Sequence, residues 1–165
     1  MANAFVKAFQ QPAFVPYVNF NQRIRLSYPT DWMTRDQSSP AGFLVFFASP
    51  REDMSDHFSE NLTIFIESVP PELTVDQYAH ACFQNMAQQP VQFVENGKAT
   101  IAGRLAYRWV FIGPLQGPVP MSAKYLQYIV VANSKGYVVT YTAELEKYEK
   151  FLPIIEQMLN SLEIK

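Results

Sequence analysis

The sequence has few of the residues on which common active sites depend. It contains one cysteine, Cys82, so no disulfide can form within the chain and no oxidising compartment is required. Its six glycines are too scattered to form a phosphate-binding loop, a dinucleotide-binding fingerprint or a nucleophile elbow. The residues therefore predict no cofactor, and they do not favour an enzyme.

The chain also lacks a surplus of basic charge and a long apolar run. It carries 13 basic and 15 acidic residues in scattered positions, which argues against a nucleic-acid partner. No stretch approaches the roughly 18 apolar residues that a transmembrane helix needs. Residues 1–10 lack the apolar region of a signal peptide, so we predict a cytoplasmic protein; a trimmed exported protein would show the same sequence.

The chain is rich in apolar residues, which make up 48% of it, and aromatic residues make up 15%. This composition provides a core for one domain, and the aromatic content favours a large sheet. Residues 1–16, with two prolines and three phenylalanines, are predicted to be an N-terminal extension that docks loosely through its aromatic side chains. Residues 17–165 are predicted to form the domain.

Hydrophobic periodicity predicts the order β-β-β-β-α-β-β-β-β-α. The predicted strands are 17–20, 23–28, 43–47, 61–69, 91–95, 104–112, 124–132 and 137–142, with a short strand near 100–101. Thr74 and Gln77 have the spacing of a capping box and begin the first helix, and Pro90 ends it. The second helix is predicted to begin near 149–152, which places Pro153 in its first turn.

Turn signals and amphipathic helices together define the expected architecture. Asn96-Gly97 predicts a turn, and the Pro-rich stretch 113–121 predicts a stiff loop. Short connections favour antiparallel strands, and two amphipathic helices must bury their apolar stripes on the sheet. We therefore expect an α+β protein, an α/β/α sandwich with a central, largely antiparallel sheet.

Three groups of residues are candidates for function. Asp53, Asp56 and His57 form a weak candidate metal site in a charged loop, where a solvated surface would have the same composition. A docking face for an acidic partner is a second candidate, formed by Arg104 and Arg108 on one strand face and by Lys124. The third is the Pro-rich loop. The apolar residues that this loop would present to a partner are Leu115, Val119 and Met121.

Several short motifs resemble those of the PsbP/Mog/DcrB-like superfamily, and together they run from about Tyr17 to Ile164. They are Tyr28-Pro29-x-x-Trp32, Asn61-Leu62-Thr63-Ile64, Thr74-Val75-Asp76-Gln77-Tyr78, Gly103-x-x-Ala106-Tyr107, Gly136-Tyr137-Val138-Val139-Thr140-Tyr141 and Met158-Leu159-x-Ser161-Leu162. The resemblance implies an α/β/α sandwich with a non-catalytic role in binding or assembly. It does not imply a particular partner.

Three hypotheses of function remain open from the sequence. The first is a module that binds another protein, with a homodimer also possible. The second is a cytoplasmic chaperone for hydrophobic segments of secreted or membrane proteins, which predicts an apolar groove on the sheet. The third is a hydrolase or metal-dependent enzyme, which predicts a deep pocket where His57 or His80 meets carboxylates.

Overall fold

The computed structural model describes residues 12–115 and 120–165. The strands in these residues are β1 (Phe14–Asn19), β2 (Ile24–Pro29), β3 (Met33–Ser39), β4 (Gly42–Ala48), β5 (Asn61–Ser68), β6 (Gln92–Ile101), β7 (Arg104–Leu115), β8 (Met121–Ala132), β9 (Lys135–Glu144) and β10 (Glu163–Ile164). The helices are α1 (Val75–Met86) and α2 (Tyr148–Asn160). The predicted order is thus confirmed in outline, with two additional strands, β3 and β10.

The strands form two antiparallel sheets. The larger has seven strands in the order β3-β4-β5-β9-β8-β7-β6, and the smaller has three in the order β1-β2-β10. Helix α2 and the small sheet lie on one face of the large sheet, and α1 lies on the other. This arrangement confirms the expected α+β fold with a large antiparallel sheet between two helices.

The main core lies between the large sheet and α2. Alternate residues of β4, β5 and β9 enter it, and α2 contributes a stripe at helical spacing. The members of that stripe are Tyr148, Phe151, Ile155, Met158 and Leu159. A second, more aromatic core lies under α1, around Trp109, Phe111 and Ile129.

The first helix follows its sequence signals closely. Thr74 accepts a hydrogen bond from the backbone N–H of Gln77 at 3.2 Å, and the Gln77 side chain accepts one from the Thr74 N–H at 2.9 Å. Tyr78 packs so closely on Gly136 of β9 that a Cβ there would overlap its ring. The predicted capping box is therefore confirmed, and Gly136 allows the helix to approach the sheet.

The second helix begins earlier than predicted, at Tyr148, so Pro153 lies beyond the first turn. The N–H groups of Lys150 and Phe151 both bond to the carbonyl of Lys147, at 3.0 and 3.2 Å, and this closes the first turn. The side chains of Tyr148 and Phe151 are buried. Tertiary packing of these two aromatic residues therefore outweighs the preference of proline for the first turn.

Several predicted boundaries are wrong for identifiable reasons. Asn96 and Gly97 form no turn; they pair with Trp109 and Arg108 inside β6, which carries a bulge just before them. Pro114 and Leu115 belong to β7 rather than to a loop. The pairing of β6 with β7 ends at Gln92, so at Pro114 strand β7 has a neighbour only on the β8 side. Pro114 therefore costs no hydrogen bond on the β6 side.

The first strand begins at Phe14, three residues inside the stretch that was predicted to be an extension. Pro16 is tolerated there because β1 is an edge strand of the small sheet. The backbone N–H of Thr30 also bonds to the carbonyl of Ala13 at 2.9 Å. The rest of the predicted extension, residues 1–11, lies outside the described residues.

Candidate interaction surfaces

The three predicted metal-site residues are held apart by different contacts. Asp53 accepts hydrogen bonds from Ser55 N and Oγ at 2.7 and 2.6 Å, and these bonds lower its pKa. Asp56 is buried, whereas His57 is exposed. In residues 12–115 and 120–165, no three His, Cys, Asp or Glu side chains are grouped to hold a metal ion. Asp53 therefore caps a turn, and Asp56 belongs to another cluster.

That cluster has Lys147 at its centre. The Lys147 Nζ lies 2.8 Å from an Asp56 carboxylate oxygen, 3.4 Å from Glu144 and 3.7 Å from Glu52. Burial alone would raise the pKa of Asp56, but hydrogen bonds from Lys147 and from the Phe58 N–H outweigh it and lower that pKa. Lys147 thus fastens the 49–60 loop to the start of α2.

Glu60 lies beside this cluster in a less favourable environment. Its side chain is completely buried, and neither carboxylate oxygen has a hydrogen-bond partner among the described residues. Burial raises its pKa, and the nearby backbone N–H groups of Glu60 and Glu144 together with the charge of Lys147 offset this only in part. An unpaired buried carboxyl group of this kind opposes folding when it is ionised.

The predicted basic docking face is largely engaged within the molecule. Arg104 donates to the carbonyl of Ile164 at 3.0 Å, and Arg108 pairs with Glu95. Lys124 lies 3.0 Å from Glu149 and over the ring of Tyr148. The three side chains lie on the α2 face of the sheet. Lys124 pairs with Ile112, four residues beyond Arg108 in β7, so the three cations do not form one compact group. Their role in docking stays a prediction.

The predicted apolar loop is divided by the strands. Leu115 and Met121 are cross-strand partners at the ends of β7 and β8, and both are half-buried. Val119 lies outside the described residues. Leu115 and Met121 thus belong to the sheet, and their contact with a partner stays a prediction.

The first helix carries the remaining titratable candidates. His80 is exposed, interacts with Gln84 at 3.0 Å and lines an open hollow of about 250 Å³ with Asp76 and Trp109. Asp76 is bound by the Tyr107 hydroxyl and lies 3.0 Å from Lys98, and these contacts lower its pKa. The hollow is shallow rather than the deep pocket that the enzyme hypothesis predicts.

Cys82 lies on the face of α1 that packs against the aromatic core, as its position on the apolar stripe predicts. Burial raises the pKa of its thiol to about 11, so the thiol stays protonated and unreactive at neutral pH.

Half of the sheet face on the α1 side has no helix over it in the described residues. Helix α1 packs mainly on β7 and β8, and the same face of β4 and β5 is left open. Leu44, Phe46 and Phe65 are half-buried there, although neighbouring residues in the same strands are fully buried on the α2 side. The apolar run 43–47 thus forms a strand, as predicted, and in the described residues a helix covers it on the α2 face only.

The open face ends at β3, which has no strand beside its outer edge in residues 12–115 and 120–165. All seven residues of β3 are exposed, and Met33 is 62% exposed. Arg35 lies opposite Phe46 and Gln37 opposite Leu44, so these polar side chains border the apolar strip. On the side of the apolar strip that faces the middle of the sheet, the polar residues Thr63 and Thr140 lie next to each other. Gln127 continues this polar row and donates a hydrogen bond to the Thr140 hydroxyl at 2.9 Å. We call Leu44, Phe46, Phe65 and strand β3 the open face.

Comparison with known proteins assigns the fold. No family model and no curated protein matches the sequence. The chain has a PsbP/Mog-like fold, as its solved structural neighbours show.

The cyanobacterial PsbP protein CyanoP of Synechocystis sp. PCC 6803 is 14% identical, with a TM-score of 0.68 and 99% of each chain covered. The yeast Ran-binding protein Mog1p from Saccharomyces cerevisiae is 5% identical, with a TM-score of 0.61 over 93% of this chain and 96% of that one. LpqN of Mycobacterium tuberculosis, described as involved in cell envelope biogenesis, is 13% identical, with a TM-score of 0.62 over 92% of this chain and 85% of that one.

In the described residues, no helix is long and apolar enough to span a membrane.

Proposed function

We propose that this protein is a non-catalytic module that binds another protein through its open face. The observation that carries the proposal is the half-buried group Leu44, Phe46 and Phe65 beside an edge strand that is unpaired on its outer side within the described part of the chain. Apolar side chains and free strand edges are the two features with which a sheet takes up an extended partner segment. The Ran-binding neighbour supports a binding role by likeness of fold alone.

An extended segment of a partner suits the open face better than a second copy of this chain does. In the antiparallel register that pairs all seven residues of β3 with a copy, Asp36 would lie opposite Asp36 of the copy. Like charges directly opposite each other destabilise a strand pair. A homodimer through this edge is therefore disfavoured, and a partner strand with basic or neutral residues at that position is preferred.

The two other hypotheses have less support. A chaperone for hydrophobic segments needs a long apolar groove, whereas here the polar row Thr63, Thr140 and Gln127 borders the apolar strip beside Phe46, and beyond Phe65 the strip runs only to Val138, which packs in the core under α1. A hydrolase needs a nucleophile and a base within hydrogen-bond reach of each other. His80 interacts instead with Gln84. Binding in the cytoplasm remains our expectation from the sequence.

The test is quantitative capture of partners from lysate of the native host by three tagged proteins: wild type, Phe46→Ser with Phe65→Ser, and Leu145→Ser as a control. Leu145 is a 45% exposed apolar residue in the turn before α2, away from the open face. We expect a stoichiometric partner that the double variant loses and the control retains. Loss of about tenfold or more in affinity follows from removing two buried aromatic contacts.

The capture is followed by titration of the purified partner segment, with a chain that lacks residues 1–11 measured in parallel. Unchanged affinity of the double variant would contradict the proposal. Self-association of the wild type that the double variant abolishes would replace it with a homodimer. Tighter binding by the shortened chain would identify residues 1–11 as a competitor for the same face.

A further inference from the structure

The end of the large sheet that is formed by the β1–β2 turn, the β8–β9 turn and β10 gathers basic side chains. They are Arg23, Arg25, Arg104, Lys135 and Lys165, and we call this group the basic end. Contacts among these segments bring them together. The Lys165 N–H bonds to the Arg23 carbonyl at 2.9 Å, and Lys135 Nζ donates to the Asn21 carbonyl at 3.0 Å.

Most of these cations have no counter-ion. Among the described residues, Arg23 and Arg25 make no ion pair, and Lys165 has only a 3.6 Å contact with Glu163. Burial lowers the pKa of Lys135, and repulsion by Arg23 lowers it further. Like charges that repel one another destabilise a fold. Arg104 and Lys135 offset this by donating to the carbonyls of Ile164 and Asn21, which leaves the side chains of Arg23, Arg25 and Lys165 as the cations available to a ligand.

The tip of the β1–β2 hairpin adds an aromatic side chain to this charge. Phe20 is 88% exposed, and Val18, opposite Arg25, is 44% exposed. Arg23 has φ 57°, in the left-handed region that suits glycine or asparagine. An arginine held there at a conformational cost indicates that its charge has a use.

From this geometry we propose that the basic end is a contact site for anionic lipid bilayers. In this arrangement Phe20 and Val18 enter the interface while Arg23, Arg25 and Lys165 bind the lipid phosphates. Aromatic rings are favoured at the level of the lipid headgroups, and clustered cations are attracted to anionic leaflets. This site is separate from the open face and does not depend on it.

A bilayer fits this end better than an acidic peptide does. The cavity between Phe20, Ile24 and Lys165 has a volume of about 210 Å³, which is small for a pocket that holds a ligand by shape. A site that holds one carboxylate in a fixed position needs cations whose own side chains are held in place. No ion pairs hold Arg23 and Arg25 in this way among the described residues. A fluid surface with many phosphates needs neither a deep pocket nor fixed partners.

The test is co-sedimentation with vesicles of phosphatidylcholine that contain about 30% phosphatidylglycerol, compared with pure phosphatidylcholine vesicles. We expect binding to the anionic vesicles that weakens strongly between about 0.05 and 0.5 M NaCl. Arg23→Gly with Arg25→Gln should weaken it by about fivefold for each cation, and Phe20→Ser by about tenfold.

The matched control is Arg51→Gln with Met54→Ser, which removes one exposed cation and one fully exposed apolar residue from the opposite end of the sheet. We expect its binding to equal that of the wild type, and thermal unfolding will verify that every variant is folded. Equal binding to both kinds of vesicle, or no effect of the tip variants, would overturn the proposal. Salt-sensitive binding of poly-glutamate without vesicle binding would assign the site to an acidic polypeptide instead.

Discussion

At one end of the large sheet Lys147 lies among Asp56, Glu144 and Glu52, whereas at the other end Arg23 and Arg25 have no acidic partner in the described residues. The paired charges are partly or fully buried and join a loop to a helix. The unpaired charges lie on exposed side chains at the β1–β2 turn and the start of β2, where backbone hydrogen bonds rather than ion pairs hold the segments together. We call the end of the sheet with Lys147, Asp56, Glu144 and Glu52 the acidic end. Its charges therefore stabilise the fold, and the charges at the basic end remain available for a ligand.

The largest effect should come from breaking the buried pair at the acidic end. Lys147→Met leaves Asp56, whose side chain is 3% exposed, as a buried charge without its cation. Removing one partner of a buried pair costs about 3–5 kcal/mol. We expect a loss of about 3 kcal/mol in the free energy of unfolding, measured by urea denaturation at neutral pH.

The control for that measurement is Lys150→Met, three residues further along the same helix. Lys150 pairs with Glu52 at the surface, where an ion pair is worth about 0–1 kcal/mol. Equal losses in the two variants would show that the burial of Asp56 does not matter, and the comparison between the ends would fail.

The second prediction concerns Glu60, the buried acid without a partner. Because burial raises its pKa in the folded state, folding favours its protonated form. Its contribution to stability is then fully present below the unfolded-state pKa and is lost as pH rises through the folded-state value. Glu60→Gln removes this loss.

We therefore expect Glu60→Gln to stabilise the protein by roughly 1–2 kcal/mol near pH 8, and by less or nothing near pH 4. Unfolding by urea across that pH range measures the difference. A variant that loses stability near pH 8 and loses less near pH 4 would mean that Glu60 is ionised and stabilised by Lys147.

The third prediction is that removing a charge at the basic end stabilises the protein, whereas removing Lys147 at the other end destabilises it. Arg23→Gly relieves the left-handed backbone at φ 57° and removes repulsion on Lys135. We expect it to raise the free energy of unfolding by about 0.5–1 kcal/mol. A loss of stability would show that Arg23 makes a contact important for folding.

The smallest effect should come from Arg25→Gln, because Arg25 is exposed and without an ion pair in the described residues. A change within about 0.5 kcal/mol is expected from thermal or urea unfolding. A larger loss would indicate a stabilising interaction with Glu163, which lies opposite Arg25 in β10.

The sequence predicted those elements whose signals are local and strong. The Thr74–Gln77 capping box and the stripe of α2 both rest on spacing within one helix, and both are confirmed. Strand β3 was missed because six of its seven residues are polar and show no apolar alternation; it forms only because β4 offers an edge. Asn96-Gly97 was misread because β7 pairs with β6 before, at and after this dipeptide and holds it in the ladder.

For the candidate surfaces too, the sequence indicated some residues, and only the structure showed their contacts and exposure. The sequence indicated Arg104 and Arg108 from their shared parity on one strand and Lys124 from its place across the Pro-rich loop, but it carried no information on the glutamates and the carbonyl that engage them. It predicted that the run 43–47 is a strand, yet which of its faces is covered depends on where α1 lies. Phe20 stands out only once the hairpin places it at an exposed tip.

By itself, the sequence determined the class of fold, the two amphipathic helices and most strands, because these follow from periodicity and from capping or turn residues close together in the chain. Only the tertiary structure decided which charges are paired, which acid is buried and which half of a sheet face stays open. These properties depend on residues far apart in the sequence, such as Asp56 and Lys147, which meet only after the chain has folded.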